Sequence, residues 1–94
     1  MNYNIFMSSV KSSLPPTELT YPQLSMWYVL NNNWDKAHII AQSLKNELGS
    51  WINVYPHRVE GDLENINYWY NRANKLPSQN TLEDEAEEII HFIT

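Results

Sequence analysis

Apolar side chains recur at helical spacing in several stretches after residue 20. The first stretch opens with Thr20, Pro22 and Gln23, which have the form of a capping box with proline in the first turn, and predicts a helix from about Tyr21 to Asn31. A run of three asparagines then predicts a turn and supplies an N-cap for a second helix. The apolar positions of that second helix are Trp34, Ala37, Ala41, Leu44 and Leu48.

Two glycines and a proline-containing segment divide the rest of the chain. Gly49 follows the second helix at the place of a left-handed C-cap residue, and Gly61 with Asp62 predicts the end of one helix and the cap of the next. The buried stripe of that next helix is predicted to be Leu63, Ile66, Tyr70 and Ala73. Thr81 is predicted to cap a last helix, whose apolar stripe is Leu82, Ala86, Ile89 and Ile93.

Residues 51–56 are rich in side chains that favour strands, and Pro56 removes a backbone donor. A lone strand without a pairing partner leaves its hydrogen bonds unmade, so we expect a helix that is kinked or restarted at Pro56. Residues 1–19 contain four serines and a proline pair, which predicts an irregular arm. The expectation is therefore an all-α chain of about five helices, with a single domain over residues 20–94.

The segment around the fourth helix resembles the second helix of a tetratricopeptide repeat, which the chain matches with Gly61, Asp62, Leu63, Ile66, Tyr70, Ala73 and Pro77. An earlier copy matches more weakly through Leu24, Ser25, Tyr28, Asn32, Trp34, Ala37 and Ala41. From Asn32 to Gly61 the offset is 29 residues, shorter than the period of about 34 in that family. The resemblance implies two antiparallel hairpins followed by a C-terminal capping helix. It also implies a concave peptide-binding face formed by Met26, Val29, Trp51, Tyr55 and Arg58.

A second resemblance covers about two fifths of the chain. The strings WDKAH, from Trp34, and HRVEGDLENINYWYNRA, from His57, are similar to a family of small bacterial proteins of uncharacterised function. This resemblance implies a shared helical fold and a bacterial source. It brings no activity with it.

Composition and charge narrow the possible functions. The 94 residues are 43% hydrophobic and include no cysteine and two glycines, which argues against disorder, disulfides, thiolate zinc sites and a glycine-rich phosphate loop. Neither a leader peptide nor a membrane-spanning run is visible, so we expect a cytoplasmic protein without membrane contact. The net charge is −5, and eight of the 11 acids lie between residues 60 and 88, which disfavours nucleic acid as a partner. The acidic run at residues 83–88 is interpreted as the solvated start of a helix.

The aromatic triplet at residues 68–70 indicates a surface. Successive helical residues are turned by about 100°, so three adjacent aromatic side chains cannot all face the core. Tyr70 belongs to the buried stripe, which leaves Asn65, Tyr68, Trp69 and Arg72 on one side of the helix. These four side chains suit the binding of a peptide or a small polar ligand. The alternative is that Tyr68 and Arg72 cover a neighbouring helix of the same chain.

The histidines offer a different function. His38, His57 and Arg58 could form a polar pocket with Arg72, and a loose metal site could use His38 and His57. A dinuclear carboxylate site needs two Glu-x-x-His motifs, and only Glu88 with His91 provides one. The sequence shows neither a catalytic signature nor a cofactor motif. We therefore expect a protein-interaction module that binds a peptide, a protein segment or a second copy of itself. The alternative is a small-ligand or metal-binding protein, or an enzyme, built on the His/Arg pocket.

Overall fold

The computed structural model describes residues 1–94 and consists of six α-helices without a strand. Helix α1 spans Tyr3–Ser9, α2 Tyr21–Leu30, α3 Trp34–Ser43, α4 Glu47–Glu60, α5 Leu63–Arg72 and α6 Leu82–Ile93. The predicted all-α class is confirmed. No helix is both long and apolar enough to span a bilayer.

The predicted helix starts are confirmed by their capping hydrogen bonds. Thr20 and Gln23 form the reciprocal capping box of α2, with the Thr20 side chain accepting from the Gln23 N–H and the Gln23 side chain accepting from the Thr20 N–H. The side chains of Asn33, Asp62 and Thr81 each accept a backbone N–H three residues later. Local side-chain chemistry therefore determines where α2, α3, α5 and α6 begin.

Helix α1 corrects the expectation that residues 1–19 form an irregular arm. Asn2 caps this helix by accepting from the Ile5 N–H, and Phe6 is fully buried in the common core. Tyr3 also stacks on His91 of α6, with ring centroids 3.9 Å apart. Tertiary packing of one aromatic side chain stabilises a short helix that the surrounding polar composition does not favour.

The junction of α3 and α4 corrects the role predicted for Gly49. Helix α3 ends at Ser43, and Asn46 caps α4 by accepting the Gly49 N–H at 2.8 Å, so Gly49 lies inside the first turn of α4. A Cβ atom at Gly49 would overlap the carbonyl oxygen and the Cβ of Leu44. Glycine is needed there because the two chain segments touch, not because the backbone adopts a left-handed conformation.

Residues 51–56 are helical, as expected, but the helix does not restart at Pro56: α4 is one helix that continues through it to Glu60. Gly61 closes the helix with a φ of 73°, in the left-handed region that favours glycine. Most of the segment faces inward: Trp51, Ile52, Val54 and Pro56 are all buried. Helix α4 is the central element of the fold and packs against α2, α3, α5 and α6.

The core corrects two further expectations. Helix α6 packs on α2 and α4 and contributes Ile89 and Ile90 to the core, while Met26, Val29 and Trp51 are buried. These three side chains are therefore not part of an exposed concave face. In α5, Tyr70 and Ala73 are buried and Ile66 is half-buried, but Leu63 is 72% exposed because it lies in the first turn, beyond the edge of the core.

Candidate functional site

Glu85 is the centre of the first of two buried polar clusters. Its side chain is 2% exposed, although the surrounding acidic residues of α6 are solvated. Arg58 donates to Oε1 at 2.8 Å, and the Tyr70 hydroxyl lies 2.7 Å from both carboxylate oxygens. Trp51 Nε1 donates to Oε2 at 3.2 Å. We refer to Trp51, Arg58, Tyr70 and Glu85 as the Glu85 cluster.

The Glu85 cluster behaves as a charged pair with two neutral donors. Burial and the hydrogen bond to Glu85 raise the pKa of Tyr70 to about 12, so its hydroxyl stays protonated and donates. Burial alone lowers the pKa of Arg58, but the hydrogen bond and charge of Glu85 outweigh it and raise the pKa above its ordinary value. Arg58 also donates to the carbonyl oxygen of Asn80 at 2.8 Å, which fastens the loop before α6.

This cluster corrects two sequence interpretations. Residues 83–88 are not a uniformly solvated face, because Glu85 is buried. Arg58 was expected to share a polar pocket with the histidines, but its guanidinium is bound to Glu85. A buried carboxylate must be paired with a cation and hydrogen-bonded, which is why Arg58 lies against Glu85.

The second cluster lies where α3, α4 and α5 meet. We call it the seam, and it consists of His38, Asn53, His57 and Trp69. The rings of His38 and His57 are nearly perpendicular, with centroids 5.5 Å apart, and His57 stacks on Trp69 at 6.2 Å. Asn53 precedes His57 by one helical turn on the same face of α4. The two histidines, whose proximity the sequence left open, therefore converge on one place.

Polar atoms in the seam lack hydrogen-bond partners. Both side-chain polar atoms of Asn53, both ring nitrogens of His57 and Nδ1 of His38 are buried and unpartnered. These are five of the six such atoms in the molecule, so the deficit is concentrated here. The other nitrogen of His38 lies 2.8 Å from the Gln42 amide nitrogen.

The electrostatics of the seam disfavour a positive charge on His57. Burial is the main cause that lowers the pKa of His57, and the neighbouring His38 lowers it further. Glu60 and Asp62 act in the opposite direction without reversing the shift. Neutral imidazole has one donor and one acceptor, so His57 can form hydrogen bonds of both kinds with a bound group.

A groove of about 350 Å³ opens beside the seam. Its lining includes the fully buried Asn53 and two exposed cations, Lys45 and Arg72. Its lining contains no carboxylate, and neither cation forms a salt bridge. The complete lining is Ala41, Gln42, Leu44, Lys45, Ser50, Asn53, Trp69 and Arg72.

Part of the surface predicted on α5 borders this groove. Arg72 donates to the Tyr68 hydroxyl at 2.8 Å, and its guanidinium lies 5.5 Å from the ring of Trp69. Tyr68 and Arg72 are exposed, as the helical geometry predicts, and Trp69 is half-buried. Asn65 is exposed but hydrogen-bonds Asp62 one turn away from the groove. The structure thus brings together Tyr68, Trp69 and Arg72 with His38 and His57, and separates Arg58 from them. Asn65 is linked to His57 only through Asp62, whose Oδ2 lies 4.0 Å from His57 Nδ1.

One set of side chains has metal-ligating chemistry. Donor atoms of His57, Glu60 and Asp62 all lie within 4.8 Å of one another. Glu60 is exposed, and Asp62 already caps α5 and accepts from the Asn65 amide. These side chains could bind a cation weakly, at the cost of hydrogen bonds that hold the start of α5.

A wider depression of about 700 Å³ lies over α6 and differs from the groove in its polar groups. It is lined by Trp51 and Phe92 together with the acids Asp84, Glu87 and Glu88. All three acids are exposed, so water satisfies them. This surface therefore lacks the unmet hydrogen bonds that distinguish the seam.

The sequence did not indicate Lys45, Ser50 or Asn53 as site residues. Their arrangement depends on the corner at Gly49, which brings the end of α3 beside the first turns of α4. A local signal was present, because Asn53 with His57 and His38 with Gln42 are both i,i+4 pairs of polar residues. Comparison with family models, with curated proteins and with solved structures gives no match.

Proposed function

We propose that this chain is a small helical protein-interaction module that holds a segment of a partner protein in the groove beside the seam. One observation carries the proposal: Asn53, whose buried side-chain amide has no hydrogen-bond partner, is among the residues that line an open groove. A buried amide without a partner costs about 1–3 kcal/mol, and a peptide supplies both the N–H and the C=O that would offset this cost.

The proposal includes a tetratricopeptide-like arrangement in which α2 with α3, and α4 with α5, form two antiparallel hairpins capped by α6. The short connections at residues 31–33 and 61–62 support it, because short links favour antiparallel neighbours. Under this arrangement α6 covers the faces of α2 and α4. The partner segment is therefore assigned to the seam rather than to the face that such repeats commonly use.

The aromatic and cationic side chains at the edge of the groove support peptide binding over catalysis. Tyr68, Trp69 and Arg72 form a preorganised group, since Arg72 bonds the Tyr68 hydroxyl and lies over the Trp69 ring. Tyrosine, tryptophan and arginine are the side chains that most often dominate binding energy at protein interfaces.

The second candidate function is the binding of a small polar ligand or metal ion. It is favoured by the contact between the His38 and His57 rings and by the donor set of His57, Glu60 and Asp62. Metal analysis of the purified chain separates the two functions. A stoichiometric ion that is lost in His57→Gln supports this second candidate over the peptide-binding proposal.

Selection from a random peptide display library tests the proposed function. The wild-type chain serves as bait, and selected peptides are measured by calorimetry against Asn53→Leu, which keeps the volume of the side chain and removes its hydrogen bonds. We expect Asn53→Leu and Trp69→Ala to weaken binding by about tenfold, corresponding to about 1.4 kcal/mol. Phe92→Ala, a control on the exposed part of α6, should leave affinity unchanged.

Failure to select any binder, or binders that Phe92→Ala weakens and Asn53→Leu does not, would contradict the proposed function. Light scattering of the wild-type chain distinguishes self-association from binding of another protein. A dimer that Trp69→Ala dissociates identifies a second copy as the partner.

A further inference from the structure

We infer that the groove is a binding site for an oxyanion, a carboxylate or phosphate group, held between Lys45 and Arg72 above the amide of Asn53. The inference rests on the proposed function and specifies it: the partner segment carries this anionic group. It follows from the charge, the hydrogen-bonding state and the burial of the residues that form the groove.

The placement of positive charge is the first argument. The chain has a net charge of −5 and only six lysines and arginines, yet two of the six line this one groove. The wall contains no acidic side chain that would neutralise them. An anion that enters the groove is attracted by both cations.

The partners of the other cations strengthen the contrast. Arg58 is bound to Glu85, Lys36 lies over the ring of Tyr28, and Lys75 lies over the ring of Trp51. Lys45 and Lys11 take part in no salt bridge, side-chain hydrogen bond or cation–π contact, and of these two only Lys45 lines the groove. Its ammonium group is therefore available to an anion from outside the chain.

Arg72 has a definite position and unused donors. One of its terminal nitrogens, Nη1, donates to the Tyr68 hydroxyl, and the guanidinium plane is held near the rings of Tyr68 and Trp69. A guanidinium has five N–H groups, so several remain for an oxyanion after the bond to Tyr68. Because the group is already oriented, little side-chain entropy is lost when an anion binds.

Asn53 is the buried polar group that makes the groove a specific site. Its side chain is fully buried, and neither its nitrogen nor its oxygen has a partner. The Asn53 NH₂ is closed to solvent, so the lining side chains move when the site fills; the oxyanion then accepts from this NH₂ while its charge is balanced by Lys45 and Arg72. A neutral ligand would use the same amide but would leave the two cations without compensation.

Titration with small anions tests the inference in the full chain. Sodium acetate and sodium phosphate are added separately at constant ionic strength, and two-dimensional ¹⁵N NMR follows the Asn53 side-chain amide and the Trp69 indole. We expect saturable shifts of both signals with at least one anion. The anion with the lower Kd identifies the chemistry as carboxylate or phosphate.

Matched variants show whether the anion binds in the groove. Lys45→Met and Arg72→Met should each raise the anion Kd by about fivefold or more, and the double variant should abolish saturation. Lys75→Met removes an exposed lysine outside the groove and should leave the Kd unchanged. Shifts that do not saturate, or that persist equally in the double variant, would overturn the oxyanion site.

Failure of this inference can be distinguished from failure of the proposed function. Peptides that bind at the seam with equal affinity whether their residues are acidic, phosphorylated or neutral overturn the oxyanion site and leave the interaction function standing. Saturable anion binding in a chain that selects no peptide supports the site and contradicts the peptide-binding function.

Discussion

Helix α4 takes part in two buried polar clusters that differ in one respect. Trp51 and Arg58 join the Glu85 cluster, in which three donor groups, from Trp51, Arg58 and Tyr70, serve the two carboxylate oxygens. Asn53 and His57 face the seam, in which their polar atoms have no partner within the chain. One cluster is complete in itself, whereas the other offers hydrogen bonds to a ligand.

The difference separates two reasons for burying polar groups. A buried charge has a desolvation cost that its ion pair and hydrogen bonds offset, and removing one partner leaves an uncompensated charge. A neutral buried amide without a partner has already lost its hydration, so removing it relieves a cost. The two clusters should therefore respond in opposite directions to loss of a polar side chain.

The largest expected effect is at Arg58. Arg58→Met leaves Glu85 buried without its cation, and we expect the free energy of unfolding to fall by about 3 kcal/mol. The same substitution at Arg72, on the exposed side of α5, should change it by less than about 0.5 kcal/mol. Urea unfolding of the two variants measures both values, and equal losses would show that the two regions do not differ as described.

Tyr70 provides a smaller effect of the same kind. Tyr70→Phe removes the hydroxyl that hydrogen-bonds the Glu85 carboxylate, and we expect a loss of about 2 kcal/mol, typical of a hydrogen bond to a charged group. Tyr68→Phe removes the hydroxyl that accepts from exposed Arg72 and should have little effect on unfolding. Thermal denaturation of the pair is the measurement, and a neutral Tyr70→Phe would show that the other donors suffice.

Asn53 should respond in the opposite sense. Asn53→Leu replaces an unpartnered amide with an apolar side chain of similar volume, and we expect the free energy of unfolding to rise by about 1 kcal/mol. Asn67→Leu is the matched control at an exposed position of α5. A loss of stability in Asn53→Leu, measured by urea unfolding, would mean that the amide has partners in solution and that the seam is closed.

The smallest effect is a pH dependence from His57. Its pKa is lowered in the folded chain, so below its ordinary value of 6.5 the unfolded chain binds more protons, and the free energy of unfolding decreases as the pH is lowered. Above about pH 7.5 this contribution is constant because the ring is neutral in both states. His57→Gln should remove this part of the slope, and His38→Gln should reduce it. An unchanged slope in His57→Gln would place the titration elsewhere.

The sequence predicted the parts of the fold that depend on local chemistry. Capping side chains such as Thr20 and Thr81 act within three residues of themselves, so the starts of α2, α3, α5 and α6 could be derived without knowledge of the tertiary structure. The exposure of Tyr68 and Arg72 also followed from helical geometry alone. The same local pattern included Leu63 in the buried stripe, because it contains no information about where the core ends.

The remainder of the fold and site depends on contacts between distant residues. Burial of Glu85 depends on Arg58, 27 residues earlier, so a view of the acidic run by itself could only indicate a solvated face. Asn53 becomes a site residue because α3 and α5 enclose it. His38 and His57 were identified as candidates, but only the packing of α3 on α4 determines that their rings meet.

The close contact at Gly49 has a consequence for the width of the groove. Its Cα fits against Leu44, and a Cβ there would also lie 3.0 Å from the carbonyl oxygen of Ala41. Leu44 and Ala41 form one wall of the groove, and the neighbouring Ser50 belongs to another. A methyl group at position 49 would therefore push Leu44 away from the first turn of α4. Because position 49 has no side chain, the end of α3 can lie against the first turn of α4, and Leu44, Lys45 and Ser50 line the same groove.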